Sequence, residues 1–159
     1  MTNTNAEYNI SSDLELIITR IFDAPRELVW KAWIELELLE RWICPRDFNV
    51  TFCQGELRIG GNWRTGMQSP EGVQHICGGE YREIIPLSKL VFTHAWEEGN
   101  GEFGPQTLVS VTISDEGEKT LMRFEQTGFN SVESRDGHEG GWTGAFENLS
   151  SCFGKDKDK

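Results

Sequence analysis

The chain predicts an α+β fold in which a strand-rich body wraps a single C-terminal helix. Three observations carry that expectation. From about residue 48 to residue 126 apolar residues alternate with polar ones, the period of half-buried strands. The final apolar stretch, GGWTGAFENLSSCF, switches to steps of three and four. Those steps put Trp142, Ala145, Phe146, Leu149, Cys152 and Phe153 on one stripe, with Glu147, Asn148, Ser150 and Ser151 facing away. Turn residues separate the strands at regular intervals. A lone amphipathic helix after many strands has to bury its stripe on the sheet. A strongly curved sheet around such a helix leaves a space between the two layers, and function is sought there.

Each element follows from local sequence. Residues 14–22, LELIITRIF, form the first strand, stopped by Asp23, Ala24 and Pro25. Asp23 is placed to cap the next helix, with Pro25 near its first position. That helix carries Leu28, Val29, Ala32 and Trp33, and a second helical segment over residues 35–42 ends before Pro45. Phe48, Val50 and Phe52 then alternate with polar residues. Leu57, Ile59, Gly61, Trp63, Thr65 and Met67 are expected on one face, with Arg58, Asn62, Arg64 and Gln68 on the other. Gly60 and Gly61 suggest a bulge or a close backbone approach in mid-strand. Residues 69–72, SPEG, make a hairpin turn into a strand over residues 73–85, and Pro86 turns the chain again. Leu90, Phe92, His94 and Trp96 share the inward face of the next strand. After a glycine-rich loop (98–105), Val109, Val111 and Ile113 face inward, and so do Met122, Phe124 and Gln126 on the last strand. The closing helix begins near Ser131, its first turns weakened by Gly137, Gly140 and Gly141. Residues 14–153 thus read as one domain, between a flexible lead (1–13) and a flexible charged tail (154–159).

Composition narrows the function classes. A chain of 159 residues with six Trp and nine Phe can bury a sizeable core. Its net charge of −11, from 15 basic and 26 acidic residues, argues against nucleic acid and against anionic membrane surfaces. The opening MTNTNAEYN lacks an apolar signal segment and no run is long enough to span a membrane, so a cytoplasmic location is expected. Cys44, Cys53, Cys77 and Cys152 form no C-x-x-C pair and read as free, mostly buried thiols.

Several blocks of this sequence resemble one family. They are ITRIFDAP (18–25) followed by RELVWKAW (26–33), Arg41 and Trp42 with Pro45, GGNW (60–63), GEYREIIP (79–86), LVFT (90–93) and GGW (140–142). Their order and spacing resemble the Activator of Hsp90 ATPase homologue 1-like family, within the START-like, SRPBCC or Bet v 1-like superfamily. The resemblance covers residues 14–153. It implies a helix-grip fold: seven curved antiparallel strands around the C-terminal helix, two short helices after strand 1, and an internal cavity. Many relatives carry Trp-Trp-Gly-Pro where this chain has Trp42, Ile43, Cys44 and Pro45. The superfamily contains lipid carriers, hormone receptors and polyketide cyclases, so fold alone does not give function.

The expected function is binding, for sequestration or transport, of a small apolar or aromatic molecule in that cavity. One alternative is a polyketide cyclase-like enzyme using the same space. Another is a co-chaperone-like module contacting Hsp90, and a homodimer is a further possible assembly. Candidate ligand contacts are Trp33 and Trp42 on the short helices, Trp63, Phe92, His94, Trp96, Phe124 and Gln126 on inward strand faces, and Trp142 and Phe146 on the last helix. The same aromatics could serve as core only. His94 is the one candidate acid or base. No nucleophile elbow, P-loop, H-E-x-x-H or dinucleotide fingerprint occurs, and no cofactor is implied. If Ile84 pairs with Leu90, His75 falls opposite Gly99, on the face away from His94, and His138 lies at the exposed start of the last helix. No metal site is therefore expected. Arg64, Arg82 and Arg123 point outward, towards Glu80, Glu83 or Glu125 on neighbouring strands.

Overall fold

The computed structural model describes residues 14–157. The lead (1–13) and the last two residues lie outside the described residues. Seven strands form one sheet in the order β1-β7-β6-β5-β4-β3-β2, every pair antiparallel. β1 is Glu15–Phe22, β2 Asn49–Gly55, β3 Asn62–Gln68, β4 Gln74–Ile85, β5 Lys89–Trp96, β6 Thr107–Glu116 and β7 Lys119–Thr127. β2 to β7 form an uninterrupted meander, while β1 pairs with β7 at the far edge. The chain between β1 and β2 therefore runs from one edge of the sheet to the other, and it carries α1 (Arg26–Ile34) and α2 (Leu36–Leu39). The last helix, α3, is Val132–Lys157, so it continues four residues into the stretch read as a tail.

One apolar core joins these layers. Inward residues of β6 and β7 meet α3, so that Val109, Val111, Met122 and Phe124 pack with Phe146 and Leu149 at the centre. Edge-on ring pairs tie the layers together, with Phe124 to Phe146 at 5.3 Å and Phe22 to Phe146 at 6.5 Å. Arg26 links α1 to β6 by an ion pair with Asp115 at 3.2 Å.

Local expectations are corrected at several points. Pro25, not Asp23, takes the position before α1, no side chain caps it, and its carbonyl accepts from Leu28 and Val29. The second helix is one turn long, because the chain after Leu39 tightens into turns up to Cys44. Leu57 and Ile59 are exposed rather than inward. The chain from Glu56 to Gly61 leaves the sheet as a tight turn, where Arg58 N donates to Glu56 O and Gly61 N to Arg58 O. Gly60 has φ +87°, and a Cβ on Gly61 would lie 2.1 Å from Glu56 O, so the pair permits a close backbone approach. On α3, Cys152 is exposed, whereas Asn148 turns inward and donates to Cys44 O at 3.1 Å. Cys44, Cys53 and Cys77 are free thiols. Arg64 pairs with Glu97, while Arg82 and Arg123 pair along their own strands with Glu80 and Glu125.

The β4–β5 ladder departs most from simple alternation. Ile84 does pair with Leu90, but the register slips between Tyr81 and Glu83, leaving Arg82 as an extra residue. Beyond the slip Tyr81 pairs with Phe92 and Cys77 with Trp96. This reverses the phase of the first half of β4: Tyr81 becomes buried, and His75 shares the face of His94 rather than the opposite one.

Candidate functional site: an aromatic pocket between sheet and helix

A pocket of about 310 Å³ opens between the inner face of β3–β5, the β1–β2 connection that carries α1 and α2, and the first half of α3. The sheet contributes Trp63, Met67, Cys77, Tyr81, Phe92, His94 and Trp96. The connection contributes Trp33, Leu39, Ile43 and Cys44, and the helix Gly137, His138, Gly141 and Trp142. The rings run as a continuous series, Phe92 to Trp63 at 5.4 Å, Trp63 to His94 at 5.7 Å and His94 to Trp96 at 5.4 Å. Such walls offer flat apolar area with few polar groups, the make-up of small-molecule sites.

The indoles are held by specific hydrogen bonds. Glu80 N donates to Thr93 Oγ1 at 2.9 Å. Trp63 Nε1 donates to the Thr93 carbonyl at 3.1 Å. A Cβ on Gly79 would stand 1.9 Å from that carbonyl, so only glycine fits there. Trp142 Nε1 donates to Gln126 Oε1 at 2.9 Å, and Gln126 Nε2 donates to Thr107 Oγ1 at 2.8 Å. Thr107 Oγ1 in turn donates to His94 O at 3.2 Å. A buried relay thus ties the helix tryptophan to the backbone of β5. Trp96 Nε1 donates to His138 Nε2 at 3.0 Å. The accepting nitrogen carries no proton, so Nδ1 holds it and faces Ser134 O at 2.8 Å.

Six of the ten residues expected at the site line the pocket: Trp33, Trp63, Phe92, His94, Trp96 and Trp142. Trp42, Phe124, Gln126 and Phe146 do not. They lie behind the wall, fully buried, where Trp42 Nε1 donates to Ala32 O and Gln126 is consumed by its two partners. Tyr81 and His138 also line the pocket, and sequence reasoning assigned neither to it. Tyr81 was obscured by the slip in β4. His138 stands one helical turn before Trp142, so extending the stripe backwards would have found it. Its ring lies 5.7 Å from that of His94, and it is half-buried rather than exposed.

Burial governs the chemistry of these groups. It pushes His94 from 6.5 down to about 3, with His138 adding to the effect, so the imidazole is neutral and keeps one acceptor nitrogen. Burial likewise raises the Tyr81 phenol to about 12, the Cys53 thiol to about 11 and the thiols of Cys44 and Cys77 above their usual value. The cysteines are therefore protonated and poor nucleophiles. A second space of about 150 Å³ lies beyond His94, Trp96, Ser134 and His138, bounded on its other side by Pro105, Thr107 and Phe129. Those four residues form a partition between the two spaces. Among the described residues no group of three or more His, Cys, Asp or Glu could hold a metal ion. No described helix is long and apolar enough to cross a membrane.

An open antiparallel sheet on a long C-terminal helix, with two short helices after the first strand, defines a START-like protein. The family model for "Activator of Hsp90 ATPase homolog 1-like protein" matches residues 23–154, and the chain belongs to that family. A protein from Arthrobacter aurescens superposes with a TM-score of 0.82 at 25% identity, over 91% of this chain and 88% of that one. A protein from Nitrosomonas europaea gives 0.77 at 25% identity, over 93% and 99%. The AHSA1 protein from Silicibacter pomeroyi gives 0.81 at 21% identity, over 89% and 99%, and this last likeness speaks for the fold alone. No curated protein matches the chain.

Proposed function

We propose that the protein binds a small apolar or aromatic molecule in the pocket and holds it away from water, as a carrier or a sequestering protein. The observation that carries this reading is the pocket itself, about 310 Å³ of space bounded mainly by tryptophan, phenylalanine and aliphatic side chains. Each Å² of apolar ligand surface withdrawn from water contributes about 25 cal/mol. The family's fold commonly holds hydrophobic ligands, which agrees with this use of the space. An acid–base role for His94 has less support, since a base held near 3 draws protons weakly at neutral pH.

The test is native mass spectrometry of protein purified from its own host, followed by denaturation and identification of what leaves, with tryptophan-fluorescence titration of the stripped protein. A stoichiometric small apolar compound that rebinds and quenches the pocket tryptophans is expected. A ligand-free mass together with no response to any ring compound would overturn the reading.

A further inference from the structure

The polar groups around the pocket are unevenly satisfied. Trp63, Trp96 and Trp142 each give their N–H to a defined acceptor. Three other groups have no partner on another described residue. Trp33 Nε1 is buried without an acceptor. Among the described residues the Tyr81 hydroxyl makes no hydrogen bond, although it is buried beside Gly55, where an added Cβ would stand 3.4 Å from the oxygen. The His94 ring bonds to its own backbone and has one nitrogen left over. All three belong to the pocket wall, and all three surround Phe92. Trp33 and Tyr81 lie 6.2 and 6.4 Å from its ring, and His94 follows two residues on along the same face of β5. Buried polar groups in native proteins nearly always have partners, so the Trp33 N–H, the Tyr81 hydroxyl and the remaining His94 nitrogen around one apolar space point to a partner that enters it.

The charges around the space narrow what that partner is. Glu133 is the single pocket residue with a formal charge, an acid, and the remaining walls are neutral. An ionised carboxylate entering here would lose its water without gaining a cation, a cost of several kcal/mol. A hydroxyl or carbonyl group would lose little and would gain the unpaired groups. From this we infer that the pocket selects an uncharged ring compound bearing a hydroxyl or oxo group, read by the His94 imidazole and the Tyr81 phenol. Neutral His94, its N–H given to its own backbone, accepts from a ligand hydroxyl, and Tyr81, which stays protonated, donates to a ligand hydroxyl or carbonyl. The inference rests on the pocket being a ligand site, as proposed above.

Four matched probes test it on the full chain near neutral pH: naphthalene, a naphthol, the corresponding naphthoate and the corresponding naphthyl-trimethylammonium, read by quenching of the pocket tryptophans. The naphthol is expected to bind about tenfold more tightly than naphthalene, one satisfied buried hydrogen bond, and the naphthoate more weakly than either. In Tyr81→Phe, which removes one oxygen, and in His94→Phe, the naphthol-to-naphthalene ratio is expected to fall towards one. Should His94→Phe fail to fold, the ratio in Tyr81→Phe still decides. Equal or tighter binding of the naphthoate or the ammonium, or an unchanged ratio in the variants, would overturn the selection while leaving the ligand site standing. No response to any of the four probes would remove the ligand site itself.

Discussion

The two halves of α3 face the same sheet to opposite effect. From Phe146 onward the helix fills space, with Phe146 and Leu149 in the core that β1, β6 and β7 share. Before Gly144 it leaves space, because Gly137 and Gly141 present no side chain to the pocket. A Cβ on Gly137 or Gly140 would meet nothing within 4 Å, whereas one on Gly144 would stand 2.8 Å from Arg46 N. Gly144 thus lets the helix approach the α2–β2 connection, and the glycines before it keep the other end open. Helix propensity is given up mainly in the half where volume is kept, and the packed half supplies the stability that tolerates it.

The largest blow to this contrast would fall on the packed half. Phe146→Ala is expected to cost about 3–5 kcal/mol, read as a lower urea midpoint, since it removes a ring shared by Phe22, Trp33, Trp42, Phe124 and Trp142. A loss much below that would mean that the packed half is no firmer than the open one. Next comes acid sensitivity from the open half. His94 titrates near 6.5 when unfolded and near 3 when folded, so between those values the unfolded chain binds the extra proton. Stability should fall as the pH drops below 6.5, by about 1.4 kcal/mol per pH unit from this group. His94→Gln should flatten the difference curve, and identical pH profiles for both proteins would show that His94 is not held neutral. At the boundary, Gln126→Leu strands the Trp142 N–H and takes one of two partners from Thr107, at a cost of roughly 1–3 kcal/mol, with a red-shifted or broadened tryptophan emission as a second readout. The smallest effect carries the opposite sign. Gly137→Ala should raise the melting temperature by an amount equivalent to about 1 kcal/mol, because the methyl meets nothing and the helix gains propensity.

What sequence alone could convey follows the same division. The packed half was legible: Phe22, Val109, Val111, Met122, Phe124, Phe146 and Leu149 all obey a simple period, and all are buried. The pocket was only partly legible. Trp33, Trp63, Phe92, His94, Trp96 and Trp142 could be named, but their neighbours Trp42, Phe124, Gln126 and Phe146 carry the same pattern and lie behind the wall. Periodicity reports which way a side chain points, not whether a cavity or another side chain stands opposite it. Leu57 and Ile59 show the converse failure, for they alternate like a strand while backbone hydrogen bonds fold them into a turn. Hydrogen-bond partners, such as Asn148 with Cys44, depend on how distant segments meet and leave no local mark.

The single extra residue at Arg82 has a wider consequence. β4 is written in two reading frames, one from Gln74 to Tyr81 and the other from Glu83 to Ile85, and only the first supplies wall residues to the pocket. Removing Arg82 would leave both frames opposite their present partners, with Glu83 on Val91 and Tyr81 on Phe92, and would only straighten the ladder. Pairing Arg82 into the ladder would instead transpose the whole first frame, turning Cys77 and Tyr81 out to solvent and offering Ile76, Gly78 and Glu80 in their place. The chemical identity of that wall is therefore held as a block by one residue that lines none of it and pairs with nothing on β5.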